Sequence, residues 1–364
     1  MPLADSVEVR EGSTRLLVPR AHSQKGPGKR VGTVFFNSQM GFNRDVSVML
    51  VRAIAEDGQK FLDAMAATGA RGVRVANEAG RKLTVVLNDK DARALDFMNA
   101  NIELNNLNDC TAVNQDLRCH LASSVYDWID LDPFGSPVYF VQAALQGLKR
   151  NGVLAITATD TAPLAGTHAK KCMRRYMARP LRSPIGHEVG LRILIGYTAR
   201  EAAQLDMGVH PLLCFYADHY FRCFLRVRTT AAAADASLSQ LGYLDYDAET
   251  HERAFSFASG RYGPMWGGPI ADDDVLTRME ATAGLQHTAR CQKYLDWWRQ
   301  EVKVPFFYEN NEVASLLKLS PPVLDRIVSE LAQYGKASRT HYSPTGFRTD
   351  LPFEEVLRIY RSLA

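Results

Sequence analysis

The segment Val125-Tyr-Asp-Trp-Ile-Asp-Leu-Asp132-Pro133-Phe134-Gly135-Ser-Pro137 gathers the groups best suited to chemistry. A carboxylate, a stiff residue and an aromatic ring follow one another where an apolar run ends. Asp132 can accept a hydrogen bond from a poorly nucleophilic amine, localise its lone pair and take its proton late. Pro133 stiffens the loop and leaves carbonyl groups free as acceptors. Phe134 offers a face for a planar heterocycle, a contact worth about 1–3 kcal/mol for nucleic-acid bases. A β-turn behind a buried strand, with Phe134 in the core, would account for the same residues without any function. Asp130 shares a side with Asp132 if the strand is regular, and a buried partner role suits it as well as a catalytic one.

Three further carboxylates stand in comparable places. Asp63, Asp89 and Asp116 end the apolar runs KFLDAM, KLTVVLND and CTAVNQD, as Asp132 ends VYDWIDLD; GVLAITATD is a fifth run. Helix-length segments separate the runs, which indicates βαβ units and a parallel sheet. In such sheets ligands bind outside the carboxyl ends of the strands. Aspartate often ends a strand merely to cap the next helix, so each one alone says little, whereas four in register say more. The first crossover, Asp63-Ala-Met-Ala-Ala-Thr68-Gly69-Ala-Arg71-Gly72, has a glycine turn that lets a ligand approach but lacks the GxGxxG fingerprint. Without a pyrophosphate cradle, a nicotinamide or flavin dehydrogenase is disfavoured. Asp89 is placed to take a ribose hydroxyl pair and Asp116 an adenine amine. A nucleoside without phosphates fits this pattern, and S-adenosylmethionine is one.

The runs HPLLCFYAD and HYFRCFLRVRT then suggest two antiparallel strands at a sheet edge. Ahead of the sheet, residues 1–36 suggest short strands and a basic loop from His22 to Arg30. The low-complexity stretch TTAAAADAS places a domain boundary between residues 228 and 229. Residues 1–228 form an α/β, Rossmann-like unit, and residues 229–364 a second, mainly helical domain with a glycine-rich aromatic loop at 260–269. Its last part, 310–364, has the pattern of a helix-turn-helix with a wing.

The 364 residues exceed the usual single core, in line with two domains; 46% are hydrophobic and 23% charged, which excludes wholesale disorder. No apolar run is long enough for a membrane span, and the N-terminus lacks a signal-peptide core, so a cytoplasmic location is expected. Six cysteines without a CxxC and nine histidines without ligand spacing give no metal site. The oligomeric state is open, and a monomer is compatible with the pattern. Net charge is only +3, but His168–Arg182 holds six Lys or Arg and no acid. Such a segment can neutralise phosphates beside a site, or be a solvated helix face. The N-terminal loop and Arg339, His341 and Arg348 of the wing are further candidates.

The loop around Asp132 resembles the (Asp/Asn)-Pro-Pro-(Tyr/Phe) loop of amino-group methyltransferases. Over residues 7–228 the segments EGSTRLLVP, VFFNSQMGFNRD, DAMAATGARGVR, NDKD, DLDPFGSP, TATDTAPLAG and HEVGLRIL resemble the tRNA (guanine-26, N2)-dimethyltransferase family. That resemblance implies a class I methyltransferase domain, S-adenosyl-L-methionine as donor and the N2 of guanine 26 in tRNA as acceptor. It implies cofactor contacts from Arg44, Arg71, Asp89, Asp116 and Leu117, with Asp63 and Thr68 on the same crossover. Asp132 matches the catalytic carboxylate beside Pro133, and Phe35 and Phe134 would sandwich the guanine. Two departures stand out. No cysteine cluster follows the catalytic unit, so structural zinc is not carried over, and Ser38 replaces the usual proline after Asn37. The alternatives are an amino-methyltransferase acting on another base, such as adenine in DNA, and a catalytically inert RNA-binding protein.

Overall fold

The computed structural model describes residues 5–23 and 34–363, so the basic loop expected from His22 to Arg30 lies outside the described residues from 24 onward. Two short strands, β1 (Ser6–Glu11) and β2 (Thr14–Pro19), form an antiparallel hairpin. After α1 (Gly41–Ile54), strands and helices alternate: β3 (Lys60–Asp63), α2 (Ala70–Glu78), β4 (Thr84–Asn88), α3 (Ala92–Leu104), β5 (Cys110–Val113), α4 (Leu117–Leu121), β6 (Tyr126–Leu131), α5 (Val138–Gln146) and β7 (Leu148–Ala158). Helices α6 (Thr161–Leu164), α7 (Ala169–Tyr176) and α8 (Gly186–Ala203) precede the long strands β8 (Met207–Ala217) and β9 (Tyr220–Thr229). The sheet order is β5-β4-β3-β6-β7-β9-β8, parallel from β5 to β7, with β9 antiparallel to both neighbours.

The sequence explains this layering. The central stretches of β3, β6 and β7, Phe61-Leu62, Trp128-Ile129 and Val153–Ile156, are apolar and buried on both faces, as a sheet covered by helices on either side requires. The turn from β3 into α2 depends on two glycines. Gly69 caps the helix with φ +79°, and a Cβ on Gly72 would lie 2.2 Å from Leu87 Cδ2, so α2 packs against the sheet as only glycine permits. Its amide also donates to Asp63 Oδ2 at 2.9 Å.

Beyond β9 come α9 (Ala231–Leu238), β10 (Leu241–Tyr246), β11 (Arg253–Ser256), β12 (Tyr262–Trp266), α10 (Asp273–Arg278) and α11 (Thr288–Gln300). The chain crosses residue 228 without leaving the main cores. Leu244, Met265 and Trp266 pack into one apolar cluster of the sheet, and Val275, Leu276, Leu295 and Trp298 into the other. A third cluster is confined to Tyr308–Tyr360. It is built by β13 (Tyr308–Glu309), α12 (Asn310–Leu316), α13 (Leu324–Leu331), β14 (Ala337–Arg339), β15 (Gly346–Thr349) and α14 (Phe353–Ser362). Two helices and the antiparallel β14–β15 pair give the winged-helix arrangement expected there. The small sheets β11-β10-β12 and β13-β15-β14 have strands of two to six residues, too short to show a period in the sequence.

Candidate active site

The carboxyl ends of β3, β4, β5, β6 and β7 open into one cavity of about 430 Å³. All eleven residues singled out in the sequence line it: Phe35, Arg44, Asp63, Thr68, Arg71, Asp89, Asp116, Leu117, Asp132, Pro133 and Phe134. Asp116, Asp89, Asp63 and Asp132 stand along the rim in the strand order β5-β4-β3-β6. Neighbouring strands lie about 4.8 Å apart, so this row spans the length of a nucleoside.

Beneath Asp132 lies a buried ionic layer. The Arg71 guanidinium pairs with Asp132 Oδ2 through Nη2, with Asn43 Oδ1 and Ser47 Oγ at 2.8 Å each through Nη1, and with Asp130 Oδ1 at 3.4 Å through Nε. Arg222 of β9 grips both oxygens of Asp130, at 2.9 and 2.5 Å, and also reaches Ser47 and Thr157. Asp130 is therefore a buried partner. Burial pushes its carboxyl up, but Arg222 and Arg71 prevail and hold it below the usual carboxylate range. Asp63 fares differently. Burial raises it to about 7 against the pull of Arg71, with Asp130 and Asp132 adding to the rise. Asp132 is the open member of the group, with 21% of its side chain exposed.

The other end of the cavity is more open. Asp89 accepts the amides of Ala67 and Asp91, each at 2.9 Å, which fixes its carboxylate at the end of β4. Asp116 caps α4, and its hydrogen bond with Arg118 draws it down to about 2, so Leu117 begins that helix beside it. Thr68 is buried, its carbonyl accepting Asn101 Nδ2 at 2.8 Å. Arg44 is held by Glu11 through Nε and Nη2, both at 2.6 Å, and by the Asn37 carbonyl at 3.0 Å. Its Nη1 is in none of these bonds.

At the mouth, Gly135 adopts φ +78°, and its amide and carbonyl bond to Thr159 Oγ1 and N at 2.8 and 2.9 Å. The turn raises Phe134, 60% exposed, above the rim. Phe35 meets it edge to face with ring centroids 4.5 Å apart and planes at 76°. A base between two parallel rings needs contacts of about 3.5 Å on each side, so a sandwich requires the pair to part.

A family model described as N2,N2-dimethylguanosine tRNA methyltransferase matches residues 12–361. The chain belongs to this family. It is 38% identical to the tRNA (guanine(26)-N(2))-dimethyltransferase of Pyrococcus abyssi, covering 98% of this chain and 99% of that one. To the enzyme of the same name from Thermococcus kodakarensis it is 39% identical with the same coverage. The solved structure of Trm1 from Pyrococcus horikoshii in complex with S-adenosyl-L-methionine aligns with a TM-score of 0.89 at 36% identity, over 97% of this chain and 99% of that one. The sheet is thus the Rossmann-like sheet of this methyltransferase family.

Two expectations need correction. His341 and Arg348 are not surface cations of the wing. His341 Nδ1 meets Glu301 Oε2 at 2.5 Å, and Arg348 joins Glu301 at 2.5 Å to Glu188 of α8 at 2.9 and 3.0 Å, all buried. Arg339 is exposed but paired with Asp325. A basic hairpin looks the same in sequence whether its cations face water or a carboxylate on a distant helix. The residues that sequence reading missed, Glu11 and Arg222 buried behind the rim and His219 on it, come from outside the βα crossovers, where no local motif points to the site. On α7, by contrast, Lys170, Met173 and Arg174 are exposed and only Cys172 and Tyr176 are buried.

Proposed function

We propose that this chain is an S-adenosylmethionine-dependent methyltransferase that dimethylates the exocyclic N2 of guanine 26 in tRNA. The observation that carries this is the position of Asp132: a partly open carboxylate, clamped by Arg71, between a row of strand-end acids and an aromatic pair at the mouth of the cavity. The residues present fit the donor. Three carboxyl groups against two guanidinium groups leave the rim short of positive charge, which a cationic ligand restores. Asp89 and Asp116 would hold ribose hydroxyls and the adenine amine, Leu117 the purine face, and Asp63 and Thr68 the amino-acid end. Arg44 Nη1 suits a carboxylate. Arg71 is engaged mainly by the protein's own carboxylates.

When bound, S-adenosylmethionine would supply an electrophilic methyl group, the S–CH3 bond breaking to leave the neutral thioether S-adenosylhomocysteine. The chain's residues prepare the acceptor. The guanine leaves its stack at a cost of a few kcal/mol, and Phe134 and Phe35 part to receive it. Asp132 accepts one N–H of the amine, so the nitrogen lone pair points at the methyl group, and it takes that proton as the N–C bond forms. The secondary amine rotates to present its remaining hydrogen to the same oxygen for the second transfer. The exposed basic face of α7 lies after β7 on the same side of the sheet and would neutralise tRNA phosphates.

The test is to incubate the protein with unmodified tRNA transcripts and labelled donor and to map the product. Dimethylguanosine at position 26 is expected. Monomethylguanosine alone would remove the second transfer, and label at another nucleotide would remove the assigned position.

A further inference from the structure

We infer that His219 reads the carbonyl edge of the target guanine, donating a hydrogen bond to O6 while the N2 amine faces Asp132. This rests on the function proposed above and adds the residue that would distinguish guanine from other amine-bearing purines.

The β8–β9 hairpin ends in a two-residue tip. Ala217 pairs with Tyr220, so Asp218 and His219 form the turn, and both line the cavity. Because β9 runs against β7, this turn sits at the same rim as the strand ends. Thr157 pairs with Arg222 and Ala158 with Phe221, which sets the tip just beyond Thr159, the residue that holds Gly135. The turn is fixed. Arg290 Nη2 binds both Asp218 oxygens at 3.0 Å, and the Tyr216 hydroxyl donates to the Asp218 carbonyl at 2.8 Å.

On the side of Asp132 away from the other strand-end acids, the sheet rim offers four polar side chains to the cavity: Thr159, Asp218, His219 and Tyr220, the last with its hydroxyl buried out of reach of a base at the rim. Thr159 Oγ1 accepts the Gly135 amide, and the Asp218 carboxylate is taken by Arg290. His219 is exposed and has no hydrogen-bond partner among the described residues, so its ring N–H is available. The spacing suits a purine. Two strand intervals separate β6 from β9, roughly 10 Å. In guanine the C2 amine and O6 flank one ring, about 4–5 Å apart, and a hydrogen bond of about 2.8 Å at each end brings the span to the same length. An adenine amine bound to Asp132 would bring no carbonyl to that place.

The test compares tRNA transcripts carrying guanine or 2-aminopurine at position 26; the latter keeps the amine and lacks O6. The wild-type protein is expected to favour guanine in kcat/KM by about tenfold or more, the scale of one lost hydrogen bond together with the group it leaves unpaired. In His219→Ala that preference should shrink by about tenfold, with donor affinity within twofold and thermal stability unchanged. His219→Gln, which keeps a donor, should restore part of it. An undiminished preference in His219→Ala, or a parallel loss of donor affinity, would overturn the assignment. A wild-type protein that leaves position 26 unmethylated would instead take down the functional reading beneath it.

Discussion

Two buried ionic layers in this molecule both set carboxylates against arginines and differ in their balance. At the rim, Asp63, Asp130 and Asp132 face Arg71 and Arg222. At the junction with the C-terminal cluster, Glu188 and Glu301 face Arg192, Arg348 and His341. The junction gives each of its carboxyls two basic neighbours, and both are held below the usual range: burial opposes this, but Arg348 and Arg192 prevail at Glu188, and His341 and Arg348 at Glu301. The rim carries a surplus carboxyl, and Asp63 is pushed up to about 7. A layer with enough cations holds two parts of a chain together, whereas one with a surplus carboxyl is relieved by a proton, as at Asp63, or by a cationic ligand. Burying a charge without a partner is too costly to persist for structure alone.

The contrast can be broken at several points. The largest effect is expected for Asp132→Asn, which keeps the side-chain shape and removes the proton acceptor. Transfer should fall by about 10²–10⁴-fold while calorimetry shows donor affinity little changed. Near-normal turnover would remove the proposed base. Next is Arg348→Ala, which leaves Glu188 and Glu301 facing each other without their shared cation. Chemical denaturation should show a loss of about 3–5 kcal/mol, and a loss under 1 kcal/mol would mean that the junction is not the fastening described.

Asp63 offers a test by pH. Its folded value, about 7, lies above the ordinary 3.8, so the folded protein holds the proton more tightly than the unfolded chain does. Stability therefore falls as pH rises from about 4 to about 7, by an amount on the order of a few kcal/mol. Asp63→Asn should flatten that slope in denaturation curves taken across the window. An equal slope in both proteins would show that the surplus charge is relieved elsewhere. The smallest change is Phe134→Ala, which should raise KM for tRNA by roughly 5- to 150-fold, the equivalent of about 1–3 kcal/mol of stacking. Weaker donor binding with unchanged tRNA KM would move Phe134 to the other end of the cavity.

The rim was legible in the sequence because each βα unit announces itself: an apolar run, an aspartate, then a helix. Asp63, Asp89, Asp116 and Asp132 lie where that grammar puts them, and the antiparallel pair β8–β9 follows from two adjacent apolar runs. What supports the rim was not legible. Arg222 reaches Asp130 across 92 positions and Arg348 reaches Glu188 across 160. No periodicity encodes partners that far apart. The family resemblance supplied Phe35 and Arg44, which lie before the sheet and have no strand-end signature. It could not show that Arg44 is already gripped by Glu11, or that the two phenylalanines touch.

The reversed direction of β9 has a practical consequence. Elsewhere along the edge of the sheet each loop runs on into a helix, so changing its length would shift a packed element. The Asp218–His219 tip joins two strands directly and is fastened by side chains alone. Its two residues can be exchanged, or the bend lengthened, without displacing any helix of the nucleoside end. Anyone wishing to retarget this scaffold to a different nucleobase would begin grafting there.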